Sequence, residues 1–250
     1  MINYYLNRAL GIFLTLIVIA MNKPVYAQEI PDYDKISTSA GIVETHFIGH
    51  GSLMFKVNGY VIFIDPASSS GDFEFLPKAD LILITHEHGD HLDPDLIAQL
   101  KKRETLLFCN KNSTKTIPWG MDMSVGDRQE INNIVIEAVP AYNIVNERAP
   151  GQPYHPKGEG IGFILTIGGK RFYIAGDTEN TPEMKALTNI DVAFLPMNLP
   201  YTMTPQMVAD AAKAFKPKIL YPYHFGETST DELVNLLKDS GITVRIRNLK

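Results

Sequence analysis

Residues 81–94 read LILITHEHGDHLDP, an apolar run that ends in a dense group of histidine and acidic side chains. The run LILIT is typical of a buried β-strand. His86, His88 and His91 place three of the seven histidines of the chain within six positions, together with Asp90. A solvated loop that is rich in histidine by chance is the ordinary alternative, and it explains poorly why these residues follow an apolar strand.

The spacing of these side chains suits metal binding. Alternate side chains of an extended strand share one face, so His86 and His88 can reach one point together. Asp90 and His91 follow the turn at Gly89 and can reach a second point nearby. Imidazole and carboxylate groups suit Zn²⁺, with iron and manganese as rivals. The sequence therefore predicts a metal site at the end of this strand.

Length and composition limit the classes of protein that fit. A chain of 250 residues with 45% hydrophobic residues is long enough for one sizeable globular α/β domain. Its formal net charge is −5, and it has no long run of Lys and Arg, which argues against a nucleic-acid partner. Neither a G-x-S-x-G nucleophile motif nor a phosphate-binding Walker loop occurs. We expect a small-molecule substrate, and the oligomeric state stays open.

The first 27 residues have the pattern of a signal peptide. Arg8 supplies positive charge, residues 10–21 (LGIFLTLIVIAM) form an apolar core, and Val25-Tyr26-Ala27 suits the positions before a cleavage site. We predict cleavage before Gln28 and export to the periplasm or the medium, with no stable membrane partner afterwards. An uncleaved membrane anchor is the alternative, although the apolar run is short for a full span.

The single cysteine, Cys109, ends the apolar run TLLFC. It cannot form an internal disulfide, and a lone cysteine at the end of a strand is usually a small buried hydrophobe. A metal ion in this chain must therefore be held mainly by histidine and carboxylate.

A flexible N-terminal segment, residues 28–40, is predicted before a globular domain, residues 41–250. In that domain, the runs LMFKV and YVIFIDP flank an Asn58-Gly59 turn and predict a β-hairpin. The strand LILIT follows, and a helix that begins at Asp93-Pro94 leads to the strand TLLFC.

The same order recurs roughly 110 positions later. The runs GFILTI and RFYIAGD flank Gly168-Gly169, the strand VAFLP follows, and a helix from Thr204-Pro205 leads to KILYPYH. A duplicated hairpin–strand–helix–strand unit predicts an α/β fold in which two mixed β-sheets pack face to face with helices outside, an αββα sandwich. Chance similarity between common α/β patterns is the alternative.

The motif His-x-His-x-Asp-His at residues 86–91 resembles the signature of the metallo-β-lactamase superfamily. The likeness runs from about residue 42 to residue 247, and the repeated architecture agrees with that family's fold. Asp177 in YIAGDT matches the aspartate that bridges the metals in the family. His224 in YPYHFGE matches its last metal histidine, and Asp65 in FIDP matches a structural aspartate beneath the metal loop.

One family element departs from its usual place. The third histidine of the family generally follows a strand directly, where this chain has Asn143. His155 is the only histidine between His91 and His224, and we expect it to fill the role from a loop. His155→Ala is then expected to lose metal, and Asn143→Ala is expected to keep it. The alternative is that His155 is a loop histidine that touches no metal. The resemblance implies the following metal ligands: His86, His88 and His155 at one site, Asp90, His91 and His224 at the other, and Asp177 shared.

Other residues are candidates for contact with the ligands or the substrate. The GHGS turn with His50 resembles a turn in the lactonase and phospholipase D-type branch of the family, where His50 would lie near the metals. His46 is expected to lie on a strand face. Lys157 could meet a phosphate or carboxylate of a substrate. Residues that could line a pocket near the ligands are Tyr142, Tyr154, Lys157, Tyr201 and Tyr223.

The resemblance implies a metal-dependent hydrolase with two divalent ions, most readily Zn²⁺, with iron or manganese possible. Metal coordination lowers the pKa of water from about 15.7 to about 7. A hydroxide between the two metals would then attack an ester, a lactone or a phosphodiester. In this scheme Asp90 is the catalytic residue, because it orients the nucleophile while it binds the second metal.

Three alternatives stay open. True β-lactamases generally lack the bridging aspartate, so Asp177 argues against antibiotic hydrolysis. A di-iron redox protein with a flavin partner domain would need more chain than is present. A non-catalytic metal-binding protein is the third. The nucleic-acid-processing branch carries a large insertion before the last histidine, but only 46 residues separate Asp177 from His224.

Overall fold

The first half of the chain forms one β-sheet. The computed structural model describes residues 31–250, so the predicted signal peptide, residues 1–27, lies outside the described part. The strands are β1 (Tyr33–Thr38), β2 (Gly41–Gly49), β3 (Ser52–Val57), β4 (Tyr60–Ile64), β5 (Ala79–Ile84), β6 (Lys101–Cys109) and β7 (Met121–Asp122). They pair in chain order into a seven-stranded sheet. Helix α1 (Pro94–Leu100) connects β5 to β6, and a 3₁₀ helix spans Ser113–Lys115.

The predicted hairpin and helix of this half are confirmed. Strands β3 and β4 pair antiparallel around Asn58 and Gly59, which both have positive φ, as a tight hairpin turn requires. Strands β5 and β6 then add in parallel. The Asp93 side chain caps helix α1 by accepting hydrogen bonds from the backbone N–H groups of Asp95 and Leu96.

The second half supplies the remaining elements. Its strands are β8 (Arg128–Ile131), β9 (Ile134–Ala141), β10 (Glu147–Ala149), β11 (Gln152–Pro153), β12 (Gly160–Ile167), β13 (Lys170–Ile174), β14 (Val192–Pro196), β15 (Ile219–Tyr223) and β16 (Thr243–Val244). Strands β10 and β11 form a separate hairpin, and the others form a seven-stranded sheet in the order β16-β15-β14-β13-β12-β9-β8. The helices are α2 (Pro182–Lys185), α3 (Pro205–Phe215) and α4 (Thr230–Leu237). Among residues 31–250, no helix is both long and apolar enough to cross a membrane.

The two halves share one pairing pattern. Strands β12 and β13 pair antiparallel, and β14 and β15 add in parallel with α3 between them, as β3 to β6 do with α1. The predicted duplication and the αββα sandwich are confirmed.

Aromatic side chains fill the space between the sheets. The ring of Phe55 on β3 lies 5.7 Å from that of Phe172 and 5.9 Å from that of Phe194 in the other sheet. The preceding residue, Met54, belongs to a second apolar cluster with Ile97 of α1. Because successive side chains of a strand point to opposite faces, each sheet has an inner face toward the other sheet and an outer face toward helices.

The segment predicted to be flexible, residues 28–40, contains strand β1, which pairs antiparallel with β2. Its Asp34 carboxylate accepts hydrogen bonds from Arg245 at 3.0 Å and from Arg247 at 2.7 Å, and also from the Tyr221 hydroxyl. Strand β1 lies at the edge of its sheet, and its Asp34 side chain binds partners on the other half of the molecule.

Candidate metal centre

Asp65, a fully buried residue that directly follows β4, binds the loop after β5 through hydrogen bonds. Its two carboxylate oxygens accept hydrogen bonds from the backbone N–H of Thr85 at 2.7 Å and from its hydroxyl at 2.6 Å. Nδ1 of His91 lies 2.9 Å from the same carboxylate. This contact directs Nε2 of His91 away from Asp65 and fixes the ring, as the role of a structural aspartate requires.

Glu87, between His86 and His88, does not join the histidine cluster. Its carboxylate oxygens accept hydrogen bonds from the amide groups of Asn110 at 2.7 Å and Asn112 at 2.8 Å. Strand β5 ends at Ile84, and in the loop that follows these two contacts hold Glu87 apart from His86 and His88.

Three histidines form a first group. Potential ligand atoms of His86, His88 and His155 all lie within 4.8 Å of one another. Nε2 of His86 and Nδ1 of His88 are 3.1 Å apart. The structure therefore brings His155 from its loop to the two histidines of the motif, and its role as a metal ligand stays a prediction.

Asn143 lies directly behind His155. Its Oδ1 accepts hydrogen bonds from the backbone N–H of His155 at 2.7 Å and from the ring Nδ1–H at 2.8 Å. Its amide group donates to the backbone oxygen of Tyr201 at 2.9 Å and to Glu179 at 3.1 Å. Asn143, at the position where the family generally carries its third histidine, thus supports His155 through hydrogen bonds. The expectation that Asn143 is dispensable for metal binding therefore loses its basis.

Glu179 organises the loop that begins at Asn143. This residue is fully buried, and its carboxylate accepts hydrogen bonds from the backbone N–H groups of Ile144 at 2.8 Å, Val145 at 2.8 Å and Asn146 at 2.7 Å. One buried carboxylate thus fixes both the support of His155 and the start of the β10–β11 hairpin.

A second group contains His50, Asp90, His91 and His224, whose potential ligand atoms also lie within 4.8 Å of one another. Oδ2 of Asp90 is 3.2 Å from Nε2 of His50, 3.5 Å from that of His224 and 3.8 Å from that of His91. The other ring nitrogen of His50 lies 3.0 Å from the backbone oxygen of Lys250. The structure therefore brings His50 to the cluster, near Asp90.

Asp177 lies between the two groups. Its Oδ2 is 3.3 Å from Nε2 of His155 and 3.5 Å from Nε2 of His224. Its Oδ1 is 3.4 Å from Nε2 of His91. The carboxylate therefore faces both groups at once, which is the placement that a bridging ligand needs.

Burial and the mutual charges set the protonation of the cluster. Burial lowers the pKa of His86, and it lowers the pKa of His155 to about 4. Burial alone would raise the pKa of Asp177, but the histidines, His224 first, hold it below its usual value. Burial would lower the pKa of His91, but neighbouring carboxylates, Asp177 first, raise it to about 9. Metal binding needs neutral imidazoles and ionised carboxylates, so a bound ion would have to displace the proton of His91, whereas His86 and His155 are already neutral.

The residues fit a metal ion on structural grounds. Nε2 of His91, Nε2 of His224 and Oδ1 of Asp177 are buried and make no hydrogen bond within residues 31–250. Buried polar atoms rarely lack a partner, because desolvation without a hydrogen bond is costly. These atoms converge on one place, and nitrogen with carboxylate oxygen is a donor set for zinc and related divalent ions.

A cavity of about 620 Å³ opens over the cluster. His50, Tyr154 and Tyr201, which the sequence marked as candidates, do line it. The full lining is His50, His88, Gly89, Asp90, Arg148, Tyr154, His155, Asp177, Asn198, Tyr201 and His224.

Lys157 does not line this cavity, contrary to the expectation from sequence. Its Nζ forms an ion pair with Glu183 at 2.8 Å and a hydrogen bond to the Tyr142 hydroxyl at 3.2 Å. Glu183 lies in the first turn of α2 and draws the lysine to that side. Tyr142 and Tyr223 are buried and do not line the cavity either.

His46 lies outside the cluster, on strand β2, with its ring stacked on Tyr33 at 4.8 Å. The residues around the site that sequence reasoning missed are Arg148, Glu179 and Asn198. Asn143 was noted for its position but was expected to play no part, and Glu179 had a signal as an acidic residue two positions after Asp177. Arg148 and Asn198 reach the cavity through loop geometry that no local pattern indicates.

Comparisons with known proteins agree with this geometry. The sequence model of the family described as a beta-lactamase superfamily domain matches residues 44–224. A UPF0173 metal-dependent hydrolase from Thermus thermophilus is 30% identical over 197 residues, which cover 74% of this chain and 84% of the relative. A candidate metal-dependent hydrolase from Parabacteroides distasonis has a crystal structure that is 51% identical, with a TM-score of 0.84, covering 88% of this chain and 99% of that chain.

A more distant structure shows the fold alone. The diiron β-hydroxylase CmlA from Streptomyces venezuelae is 16% identical, with a TM-score of 0.66, covering 83% of this chain and 53% of that chain. The family match spans most of the chain and includes every predicted metal ligand. The chain therefore belongs to the metallo-β-lactamase superfamily.

Proposed function

We propose that this metal-dependent hydrolase holds two divalent ions and cleaves an ester, a lactone or a phosphodiester in a small substrate outside the cytoplasm. The position of Asp177 is the observation that carries the proposal. One of its oxygens faces His155 of the first group and the other faces His91 of the second group, at 3.3 Å and 3.4 Å. A protein that holds one ion needs no carboxylate shared between two sets of histidines.

In the proposed division of the ligands, His86, His88 and His155 would hold one ion, and Asp90, His91 and His224 would hold the other. Each set lies within one group of neighbouring ligand atoms, and a third group, which joins His86 to His91 and Asp177, connects the two. When bound, such ions supply an activated water molecule and polarise the oxygen of the bond that is cleaved.

The remaining steps are assigned to the chain itself. Asp90 is the proposed catalytic residue because its carboxylate lines the cavity and can accept a hydrogen bond from the attacking water. The surrounding histidines keep the pKa of Asp90 low, against the effect of burial, so it stays an acceptor. His50, at 3.2 Å from Asp90, fixes the orientation of that carboxylate. Tyr154 and Tyr201 form an aromatic wall with ring centroids 5.1 Å apart, against which a substrate can pack.

Zinc is the proposed metal because histidine and carboxylate in these numbers are typical of catalytic zinc sites. Iron and manganese are the alternatives. The same fold in a diiron β-hydroxylase favours keeping iron among them.

Metal analysis and a substrate panel test the proposal together. We expect about two ions per chain in the purified protein, and turnover of at least one member of a panel of esters, lactones and phosphodiesters. Asp177→Ala is expected to lose one ion and most of the activity. Two ions with full turnover in that variant, or one ion in the unmodified protein, would overturn the dinuclear proposal. Hydrolysis of β-lactams in preference to the rest of the panel would favour the antibiotic-hydrolysing alternative.

A further inference from the structure

We propose that Arg148 binds an anionic group of the substrate, a carboxylate or a phosphate, beside the bond that is cleaved. This inference rests on the proposed function, because it names the substrate class for the same cavity. Arg148 lies on strand β10, in the hairpin that precedes His155, and its side chain lines the cavity together with His155, Asp177 and His224.

Among the residues that the structure describes, Arg148 is the only lysine or arginine in the lining of this cavity. Among residues 31–250, no carboxylate lies within 4.0 Å of its guanidinium group, and its side chain makes no hydrogen bond there. The adjacent acid, Glu147, accepts a hydrogen bond from the backbone N–H of Gly151 at 2.9 Å, across the turn of the hairpin. The charge of Arg148 is therefore available to a ligand, in a chain whose formal net charge is −5.

The guanidinium group is held in place by an aromatic ring. Its central carbon lies 5.3 Å from the centroid of the Tyr154 ring, and that ring packs edge-on against Tyr201 at 5.1 Å. Such stacking leaves the N–H groups at the edge of the guanidinium plane free for hydrogen bonds. A planar fork of N–H donors matches the two oxygens of a carboxylate or phosphate.

The hairpin that carries Arg148 is anchored at its base. The backbone N–H groups of Val145 and Asn146 donate to the buried Glu179 carboxylate, and the Asn146 side chain donates to the backbone oxygen of Thr202 at 2.7 Å. The backbone N–H of Asn143 donates to the backbone oxygen of His155 at 2.8 Å on the other side. The backbone that leads to Arg148 is therefore anchored beside the loop of His155, and an anion bound by Arg148 would lie in the cavity that opens over the cluster.

A binding experiment tests the inference without turnover. Calorimetric titration of the zinc-loaded protein with phenylphosphonate, an anion that cannot be hydrolysed, is to be compared in wild type, Arg148→Gln, Arg148→Lys and Arg128→Gln. Arg128 is an exposed arginine paired with Glu130, remote from the lining of the cavity, and serves as the matched control. We expect Arg148→Gln to weaken binding about tenfold or more, as loss of hydrogen bonds to a charged group does. Arg148→Lys keeps the positive charge but lacks the planar set of N–H donors, so its affinity for phenylphosphonate is expected to lie between those of wild type and Arg148→Gln. The affinity of Arg128→Gln is expected to stay within about twofold of wild type.

A pair of esters gives the second readout. In Arg148→Gln, kcat/KM for mono-p-nitrophenyl succinate is expected to fall about tenfold or more through a higher KM, and that for the neutral p-nitrophenyl butyrate is expected to fall by a much smaller factor. Phenylphosphonate binding that is equal in Arg148→Gln and wild type would overturn the inference, as would equal losses on both esters. If Arg148→Gln turns over both esters with the kcat and KM of wild type, the inference is overturned and the proposed function stands. Binding that depends on Arg148 without turnover of any substrate would overturn the proposed function and leave the inference standing.

Discussion

The ring Nδ1–H of His155 donates to Oδ1 of Asn143 at 2.8 Å, which leaves Nε2 of His155 facing Asp177 at 3.3 Å. Metal-binding histidines usually donate their second ring nitrogen to such a partner, which fixes the tautomer and the orientation of the ring. In this chain the partner comes from the position at which the family generally carries the histidine itself.

Asn143→Ala is therefore expected to weaken zinc binding by about 10–100-fold, the range typical of a residue that orients a ligand. His155→Ala is expected to lose one ion outright, because it removes the ligand. Titration against a coloured zinc chelator measures both constants. Asn146→Ala is the matched control, because Asn146 belongs to the same loop as Asn143 but its side chain donates to the backbone oxygen of Thr202, between β14 and α3, and makes no hydrogen bond to His155. An Asn143→Ala affinity equal to that of the control would contradict the assignment.

Glu179→Gln is expected to destabilise the protein by about 2 kcal/mol or more, because hydrogen bonds to a charged group contribute about 1.5–3 kcal/mol each. The carboxylate accepts from three consecutive backbone N–H groups and from Asn143, and an amide cannot accept at both of its heavy atoms. Urea unfolding of the metal-free protein measures the change. Glu104→Gln, an exposed site on β6, is the control. Equal unfolding midpoints for Glu179→Gln and wild type would show that the loop is held by other contacts.

Cys109 is expected to be inert in the native protein. Burial, with a smaller contribution from Asp122, raises the pKa of its thiol to about 12. Because the thiolate is the reactive form and appears only as the pH approaches that value, almost none is present at pH 8. A thiol-reactive dye at pH 8 is expected to label no cysteine in the folded protein and one per chain in guanidinium chloride. Rapid labelling of the folded protein would contradict the buried position.

The native host is expected to release a mature chain that begins at Gln28. The reason is the charged start, the apolar core and the Val25-Tyr26-Ala27 pattern at residues outside the described structure. N-terminal sequencing of the protein from the periplasm or medium checks this. Recovery of a chain that retains Met1 in the membrane fraction would favour an uncleaved anchor.

Much of the fold could be predicted because its signals are local. The Asn58-Gly59 turn, the Asp93-Pro94 helix start and their counterparts around Gly168 and Thr204 each mark an element by its own residues. The motif at residues 86–91 likewise carries its spacing in the sequence, and the structure brings its histidines together with Asp177 and His224.

The remaining residues depend on contacts between segments that are distant in the chain. Lys157 was a candidate for the cavity because it lies in a loop near the predicted ligands, yet it pairs with Glu183 of α2. Arg148 was not expected there, and it reaches the cavity because Glu179 fixes the base of its hairpin. Strand β1 has no apolar alternation, and its place depends on charged partners more than 200 positions away.

The ion pairs of Asp34 with Arg245 and Arg247 have a consequence for the kinetics of folding. They join residues that are 211 and 213 positions apart, so both sheets must be in place before these contacts can form. We expect β1 to dock after the rate-limiting step of folding. Asp34→Asn would then raise the rate constant of unfolding and leave that of refolding unchanged, which stopped-flow denaturant jumps can resolve. On this view the first described strand of the chain acts as a latch, which determines how long the native protein persists and has little influence on how fast it forms.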